Sequence, residues 1–319
     1  MTIPQIISES GRPGFSIEVL PPLKGRNISR LYASIDRMRE FGPRYVNITT
    51  HRSEIVYTST DDGLYRRESV RSRPGTVAVA AAVQQRYGIP AVPHIICSGY
   101  SRKETEYALI DLSFLDITNI LLLRGDKAKH ESSFNPDPDG HSHALELEAQ
   151  INEFNAGLFI DGTKMETEGR VPFSFGVAGY PEKHEEAPNV DFDIEMLRRK
   201  IEAGADYVVT QMFFDNARYF DFVARCRAAG INVPIIPGIK PITREKQMTL
   251  LPKVFHVDLP TELSTAILDC KGDKDAVTAV GVDWCTRQVK ELYDAGVPSV
   301  HFYTVNAVDS VYNVLKRLF

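Results

Sequence analysis

The chain has 319 residues, 43% hydrophobic and 25% charged, the usage of a globular protein that buries a large core without staples. A formal net charge of −5, with no block of like basic residues, excludes the usual nucleic-acid-binding surface. Cys97, Cys226, Cys270 and Cys285 form no CxxC pair, which argues against a disulfide framework or a zinc site. Residues 1–13 lack the apolar core of a signal peptide, and no segment approaches the ~18 continuous apolar residues of a membrane span. The expectation is a cytoplasmic, reduced protein without nucleic-acid or membrane partners.

Short apolar runs recur along the chain at 15–19, 45–49, 91–96, 120–123, 173–177, 207–210, 234–237 and 299–303. They are rich in Val, Ile, Phe and Tyr and bounded by Gly, Pro or polar residues, which predicts strands. Between them lie helical periodicities. Residues 28–41 carry Leu31, Ile35 and Met38 on one stripe. Residues 191–203 carry Ile194, Leu197 and Ile201 and stop at Gly204, and residues 216–229 close on Gly230. Eight strands alternating with helices predict an α/β fold, a single (β/α)8 TIM-type barrel over residues 1–319. An open doubly wound sheet would carry a glycine-rich first turn, and neither GxGxxG nor GxxxxGK[ST] occurs. Two excursions interrupt the rhythm, at about 127–143 and 157–170.

Barrel enzymes place their chemistry at the C-terminal ends of the strands. The first strand reads FSIEVL, so alternation puts Phe15, Ile17 and Val19 on one face and Ser16 and Glu18 on the other. Glu18 then points into the barrel mouth, where partial desolvation suits a carboxyl to donate a proton near neutral pH. The competing reading is a glutamate paired with a lysine or arginine in the lumen. Thr49 and His94 sit at the next strand ends, and the fourth run ends in Arg124-Gly125-Asp126. That triplet offers a guanidinium fork for phosphate, a close backbone approach and a rim carboxylate. Gln211 ends the sixth run beside Phe213 and Phe214, an amide suited to a heterocycle edge. His130, His141 and His143 with Asp137 and Asp139 match no metal-ligand spacing and read as a solvated loop.

Taken in order, FSIEVLPP (15–22), VNITT (46–50), VPHIIC (92–97), LLRGD (122–126), VAGYPEKHEEA (177–187), LRRKIEAGADYVVTQMFFD (197–215), IPGIKPI (236–242) and HFYTVN (301–306) resemble the methylenetetrahydrofolate reductase family. The resemblance runs from residue 15 to residue 319. It implies a noncovalent FAD, reduced by NADH or NADPH, that reduces 5,10-methylenetetrahydrofolate to the 5-methyl form for methionine synthesis. It also implies a homo-oligomer. Glu18 matches the family's proton donor, and Asp126 the aspartate near flavin and folate. Gln211 and Gln247 match substrate contacts. Flavin contacts carry over onto Thr49, His94, Arg124, Gly125, Asp126, Ala178, Tyr180, His184, Asp193 and Lys200.

The chain departs from the family pattern at four places. His143-Ala144 stands where many relatives have Tyr-Ala at a flavin contact, and Met196 replaces an asparagine. Leu251 aligns with a residue that stacks on substrate, and Ala307 replaces an arginine beyond Thr304. Two other readings stay open: a flavin-free pterin-binding methyltransferase on the same barrel, and a catalytically idle relative that binds folate or flavin.

Overall fold

The computed structural model describes residues 1–9, 11–127, 131, 133–166, 168–305 and 307–319, so His130 and Asn306 lie outside the described residues. In chain order the elements are α1 (Ile3–Ser8), β1 (Gly14–Val19), α2 (Ser29–Arg39), β2 (Val46–Ile48), β3 (Glu54–Ser59), β4 (Tyr65–Val70), α3 (Thr76–Tyr87), β5 (Ala91–Ile96), α4 (Arg102–Phe114), β6 (Asn119–Leu123) and α5 (Ala144–Asn155). There follow β7 (Ser174–Gly179), α6 (Val190–Glu202), β8 (Tyr207–Met212), α7 (Asn216–Ala228), β9 (Ile235–Ile239), α8 (Gln247–Phe255), α9 (Thr261–Asp269), α10 (Lys274–Asp294), β10 (Ser299–Tyr303) and α11 (Val308–Leu318).

Eight parallel strands close a barrel in the order β1-β10-β9-β8-β7-β6-β5-β2. All eight expected strands are present, and each strand of the closed ring coincides with one of the apolar runs. The predicted helices at 28–41, 191–203 and 216–229 are α2, α6 and α7; α2 and α7 are shorter by one or a few residues, and α6 begins and ends one residue earlier. Unforeseen is the antiparallel hairpin β3-β4, a two-stranded sheet of its own. Among the described residues no helix is long and apolar enough to cross a membrane. The cysteines are free, and no group of His, Cys, Asp or Glu among the described residues is arranged to hold a metal ion.

By its contacts the chain groups into two compact units, residues 1–19, 33–46 and 175–319, and residues 20–32 and 47–174. In the first, the alternation of β1 is realised as expected. Phe15 meets the rings of Phe302 and Phe319, with centroids 6.0 and 5.4 Å away. On the opposite face, Ser16 Oγ lies 2.8 Å from His301 Nδ1. Register pairs Ser16 with His301 and Glu18 with Tyr303, so β1 and β10 present one polar face together. Gly14 leaves room for Arg44, whose guanidinium donates to the carbonyls of Ile7 and Arg12 and ties α1 to the start of β1.

In the second unit, α4 begins with a capping box. Ser101 Oγ accepts the Glu104 N–H while the Glu104 carboxylate accepts the Ser101 N–H, satisfying two amide donors that the helix itself leaves unpaired. The N-terminus of α5 follows the 127–143 excursion, and within that excursion His141 is buried with Nε2 2.6 Å from Gln150 Oε1. His141 is thus a packed structural side chain rather than part of a solvated loop. The 157–170 excursion is pinned by an antiparallel bridge between Leu158 and Lys164 and by Glu106, which accepts the Ile160 N–H at 2.6 Å.

Candidate functional site

A polar cluster of the first unit surrounds Glu18. It is the last polar residue of β1, 9% exposed, and its Oε2 lies 3.9 Å from Nε2 of the buried His301. The Thr304 hydroxyl donates to the Glu18 carbonyl, fixing the backbone from which the carboxylate projects. Across from it stands Lys240, the residue that follows β9. Its ammonium donates to the carbonyls of Val305 at 2.8 Å and Tyr303 at 3.3 Å. Burial brings the Lys240 pKa down to about 8, opposed by attraction to Glu18. Burial raises the Tyr303 phenol well above its ordinary value, and the negative charge of Glu18 adds to the effect. Tyr303 therefore stays a neutral donor, and its hydroxyl gives a 2.7 Å bond to the Thr210 carbonyl.

The exits of β8, β9 and β10 are tied together at this point. The register of β8 against β9 shifts between Val209 and Met212. Inside that bulge, the Thr210 hydroxyl accepts the Gly238 N–H at 2.9 Å and donates to the Gln211 carbonyl at 2.9 Å. Gln211 lies within this irregular stretch, half-buried, and its Oε1 accepts the Met212 N–H at 2.9 Å. Phe213 and Phe214 are fully packed core residues, and Phe213 stacks on Tyr219 at 5.4 Å.

The loop after β7 carries Ala178 at the strand end, then Tyr180 and His184, whose rings meet edge to face at 4.7 Å. Asp193, in the first turn of α6, accepts the His184 N–H at 2.8 Å and so holds that loop. Lys200 is a half-buried cation on the same helix, and Met196 is half-buried between them. Gln247, the first residue of α8, holds the loop before it, its Oε1 accepting from the N–H groups of Thr243 and Arg244 at 2.7 and 3.0 Å. Leu251 lies in a hydrophobic cluster with Met212, Phe214, Ile242 and Val257, and Ala307 is the buried N-cap of α11.

In the second unit the strand ends of β2, β5 and β6 are likewise cross-tied. Thr49 is half-buried just past β2, and the neighbouring Thr50 hydroxyl donates to the carbonyl of the buried His94. Ser98, just past β5, takes the Arg124 carbonyl through its N–H at 2.9 Å and gives its hydroxyl to the Asp126 carbonyl at 2.7 Å. Gly125 between them has φ +81°, and a Cβ there would sit 2.9 Å from Ser98 Cβ, so only glycine lets the two loops meet. The Arg124 guanidinium lies over the Phe134 ring at 5.0 Å, and Asp126 is exposed. His143 is exposed at the N-cap of α5, 3.8 Å from Glu146, with the buried Ala144 beside it.

Glu18, Gln211, Ala178, Tyr180, His184, Asp193, Lys200 and Gln247 thus belong to the first unit, and Thr49, His94, Arg124, Gly125, Asp126, His143 and Ala144 to the second. Sequence reading missed Lys240, His301 and Tyr303 as neighbours of Glu18. Alternation along SVHFY, which puts His301 and Tyr303 on one face, and the lone cation ending IPGIK were the available signals.

A sequence model of the family described as methylenetetrahydrofolate reductase matches residues 2–319. Among characterised relatives, a methylenetetrahydrofolate reductase (NADH) of Arabidopsis thaliana is 29% identical over 98% of this chain and 49% of its own length. A methylenetetrahydrofolate reductase of Saccharomyces cerevisiae is 30% identical over 97% of this chain and 47% of its own. The chain spans about half the length of those relatives. It spans 91% of the 5,10-methylenetetrahydrofolate reductase of Salmonella typhimurium, at 30% identity. Among solved structures, a Clostridium thermocellum protein described as binding two copies of 5-methyl-5,6,7,8-tetrahydrofolic acid superposes with a TM-score of 0.56 at 15% identity, over 98% of this chain and 97% of the other, a likeness of fold. On the match that spans nearly its whole length, the chain belongs to the methylenetetrahydrofolate reductase family.

Proposed function

We propose that this chain reduces 5,10-methylenetetrahydrofolate to 5-methyltetrahydrofolate with noncovalently bound FAD and NADH or NADPH as electron donor, supplying methyl groups for methionine synthesis. The observation that carries the reading is Glu18: a carboxyl buried at a barrel strand end, its backbone fixed by Thr304 and its side chain set among His301, Tyr303 and Lys240. The 5-methyltetrahydrofolate bound by the Clostridium thermocellum protein supports a folate as the ligand class.

The donor chemistry fits a flavin dinucleotide. Arg124 and Lys200 are half-buried cations suited to a diphosphate, and Gly125, at φ +81°, turns the backbone beside Arg124 at the exit of β6. Thr49, His94 and Asp126 join Arg124 and Gly125 as the proposed flavin contacts of the second unit. Ala178, Tyr180, His184, Asp193 and Lys200 are those of the first. FAD, when bound, supplies the two electrons for the reduction. The proton is the protein's contribution. Glu18 donates it to N10 of the bridged folate, the C–N10 bond breaks with its electron pair going to N10, and the N5 lone pair forms the iminium that is then reduced. Gln211 and Gln247 are the proposed polar contacts to the folate.

Anaerobic stopped-flow separates the two halves. Glu18→Gln is expected to leave flavin reduction by the nicotinamide donor within a few-fold of wild type. The same substitution slows folate reduction by at least the ~10²-fold typical of a lost general acid. Equal loss in both halves would make Glu18 structural. A colourless protein that takes up no added FAD would instead favour the flavin-free methyltransferase.

A further inference from the structure

We infer that Lys240 is the counter-charge of Glu18, a positioning residue that stabilises the carboxylate left behind when Glu18 gives up its proton. The inference deepens the proposed reduction and rests on it for its catalytic meaning. It stands on the placement of the ammonium. Lys240 leaves β9 and turns toward the exit of β10, where the carbonyls of Tyr303 and Val305 accept from it at 3.3 and 2.8 Å. Tyr303 is the register partner of Glu18, and Thr304 between those two carbonyls holds the Glu18 backbone. One short stretch, Tyr303–Val305, therefore fixes both ends of the pair.

Neutral carbonyls replace only part of the hydration that a buried ammonium loses. The remaining stabilisation comes from an opposite charge, and Glu18 is the group whose attraction opposes the loss of the Lys240 proton. Among the described residues, other titratable groups near Glu18 include His301 and Tyr303 on β10, with Tyr180 from the loop after β7 beyond Tyr303. Tyr303 is neutral, and the His301 ring shares Nδ1 with Ser16 while its Nε2 lies 3.9 Å from Glu18, so Lys240 is the aliphatic cation of the cluster. When the O–H bond of Glu18 breaks and an N10–H bond forms, the carboxylate gains the full attraction of a cation already in place, with no solvent to reorganise.

The test reads Glu18 directly, in protein labelled with carboxyl-¹³C glutamate and without added FAD or folate. Its resonance is assigned by its disappearance in Glu18→Gln. In Lys240→Met the Glu18 midpoint is expected about one pH unit higher than in wild type, and in Lys240→Arg close to the wild-type value. In the wild type itself, the same resonance should show a second inflection as Lys240 loses its proton, expected near pH 8. This arm holds even if Lys240→Met fails to fold. An unshifted midpoint in a folded Lys240→Met, or a wild-type curve without the second inflection, overturns the pairing.

With FAD and substrate supplied, Lys240→Met should slow folate reduction roughly tenfold, move its alkaline limb to higher pH and leave flavin reduction unchanged. Equal slowing of both halves overturns the catalytic role. Failure of the wild type to reduce the folate would count against the proposed reaction, while the ¹³C titration would still decide the pairing.

Discussion

Gly238 shows how tightly single side chains are fitted beside Glu18. A Cβ at this position would lie 2.2 Å from the Thr210 carbonyl oxygen and 2.6 Å from the Tyr303 ring. Its backbone conformation is ordinary strand, so the demand for glycine comes from closeness rather than from φ. Gly238→Ala must push Tyr303 off Thr210, and overpacking of this kind costs about 1–3 kcal/mol. The urea midpoint of Gly238→Ala should fall accordingly, and a midpoint equal to wild type would show that the ring has room to move. The same residues show what the sequence reveals at this scale. Glu18 was legible because period-two alternation alone sets its face. Lys240 was not, because a lysine after a strand reads as a solvated end until the fold brings β10 against it. Under the proposed pairing with Lys240, the rival reading of Glu18, a glutamate paired with a lysine or arginine in the lumen, is compatible with the acid.

At the scale of elements, the loop between β7 and α6 is held to the segment between α8 and α9 by carboxylates. Glu182 Oε2 accepts the Asp258 N–H at 2.9 Å, and Glu185 Oε2 lies 2.9 Å from His256 Nε2. Partial burial raises the Glu182 pKa to about 7, and the charge of Asp258 adds to the rise. The folded state therefore keeps a proton on Glu182 between about pH 4.5 and 7 that the unfolded chain has lost. Through that window this group lowers stability as pH rises. Glu182→Gln does not ionise, so its melting temperature should decline less from pH 4.5 to 7.5 than that of wild type. Parallel curves would remove Glu182 as the cause. Since the loop carries Tyr180 and His184, its hold bears on the proposed flavin contacts. Elements were the most legible level, because each buried barrel strand reads as an apolar run. The β3-β4 hairpin escaped because its strands are largely polar, with Tyr57 and Tyr65 exposed. Its signal is the Asp62-Gly63 turn between β-prone flanks, which carries no buried apolar run.

For the whole molecule, the closed strand order was predictable from the count and rhythm of the βα units. The grouping into two compact units was not, since it depends on which helices and loops gather around which strands. A cofactor that binds the folded chain and not the unfolded one raises stability, so FAD binding should register in the melting temperature. At a hundred times its Kd, FAD should stabilise the fold by about 2.7 kcal/mol. A thermal scan should show a rise in Tm on adding FAD to wild type, and a much smaller rise in Arg124→Ala. Equal rises would take Arg124 out of the flavin site.

The bulge between Val209 and Met212 also constrains how the gene can vary. Side chains along a strand alternate faces, so losing one codon there would regularise β8 and turn Gln211 or its successors to the opposite side. Point substitutions in this stretch act one side chain at a time, whereas a frame-preserving deletion reverses several at once. Removing one residue between Val209 and Met212 should therefore disturb the site more than most single substitutions in that stretch.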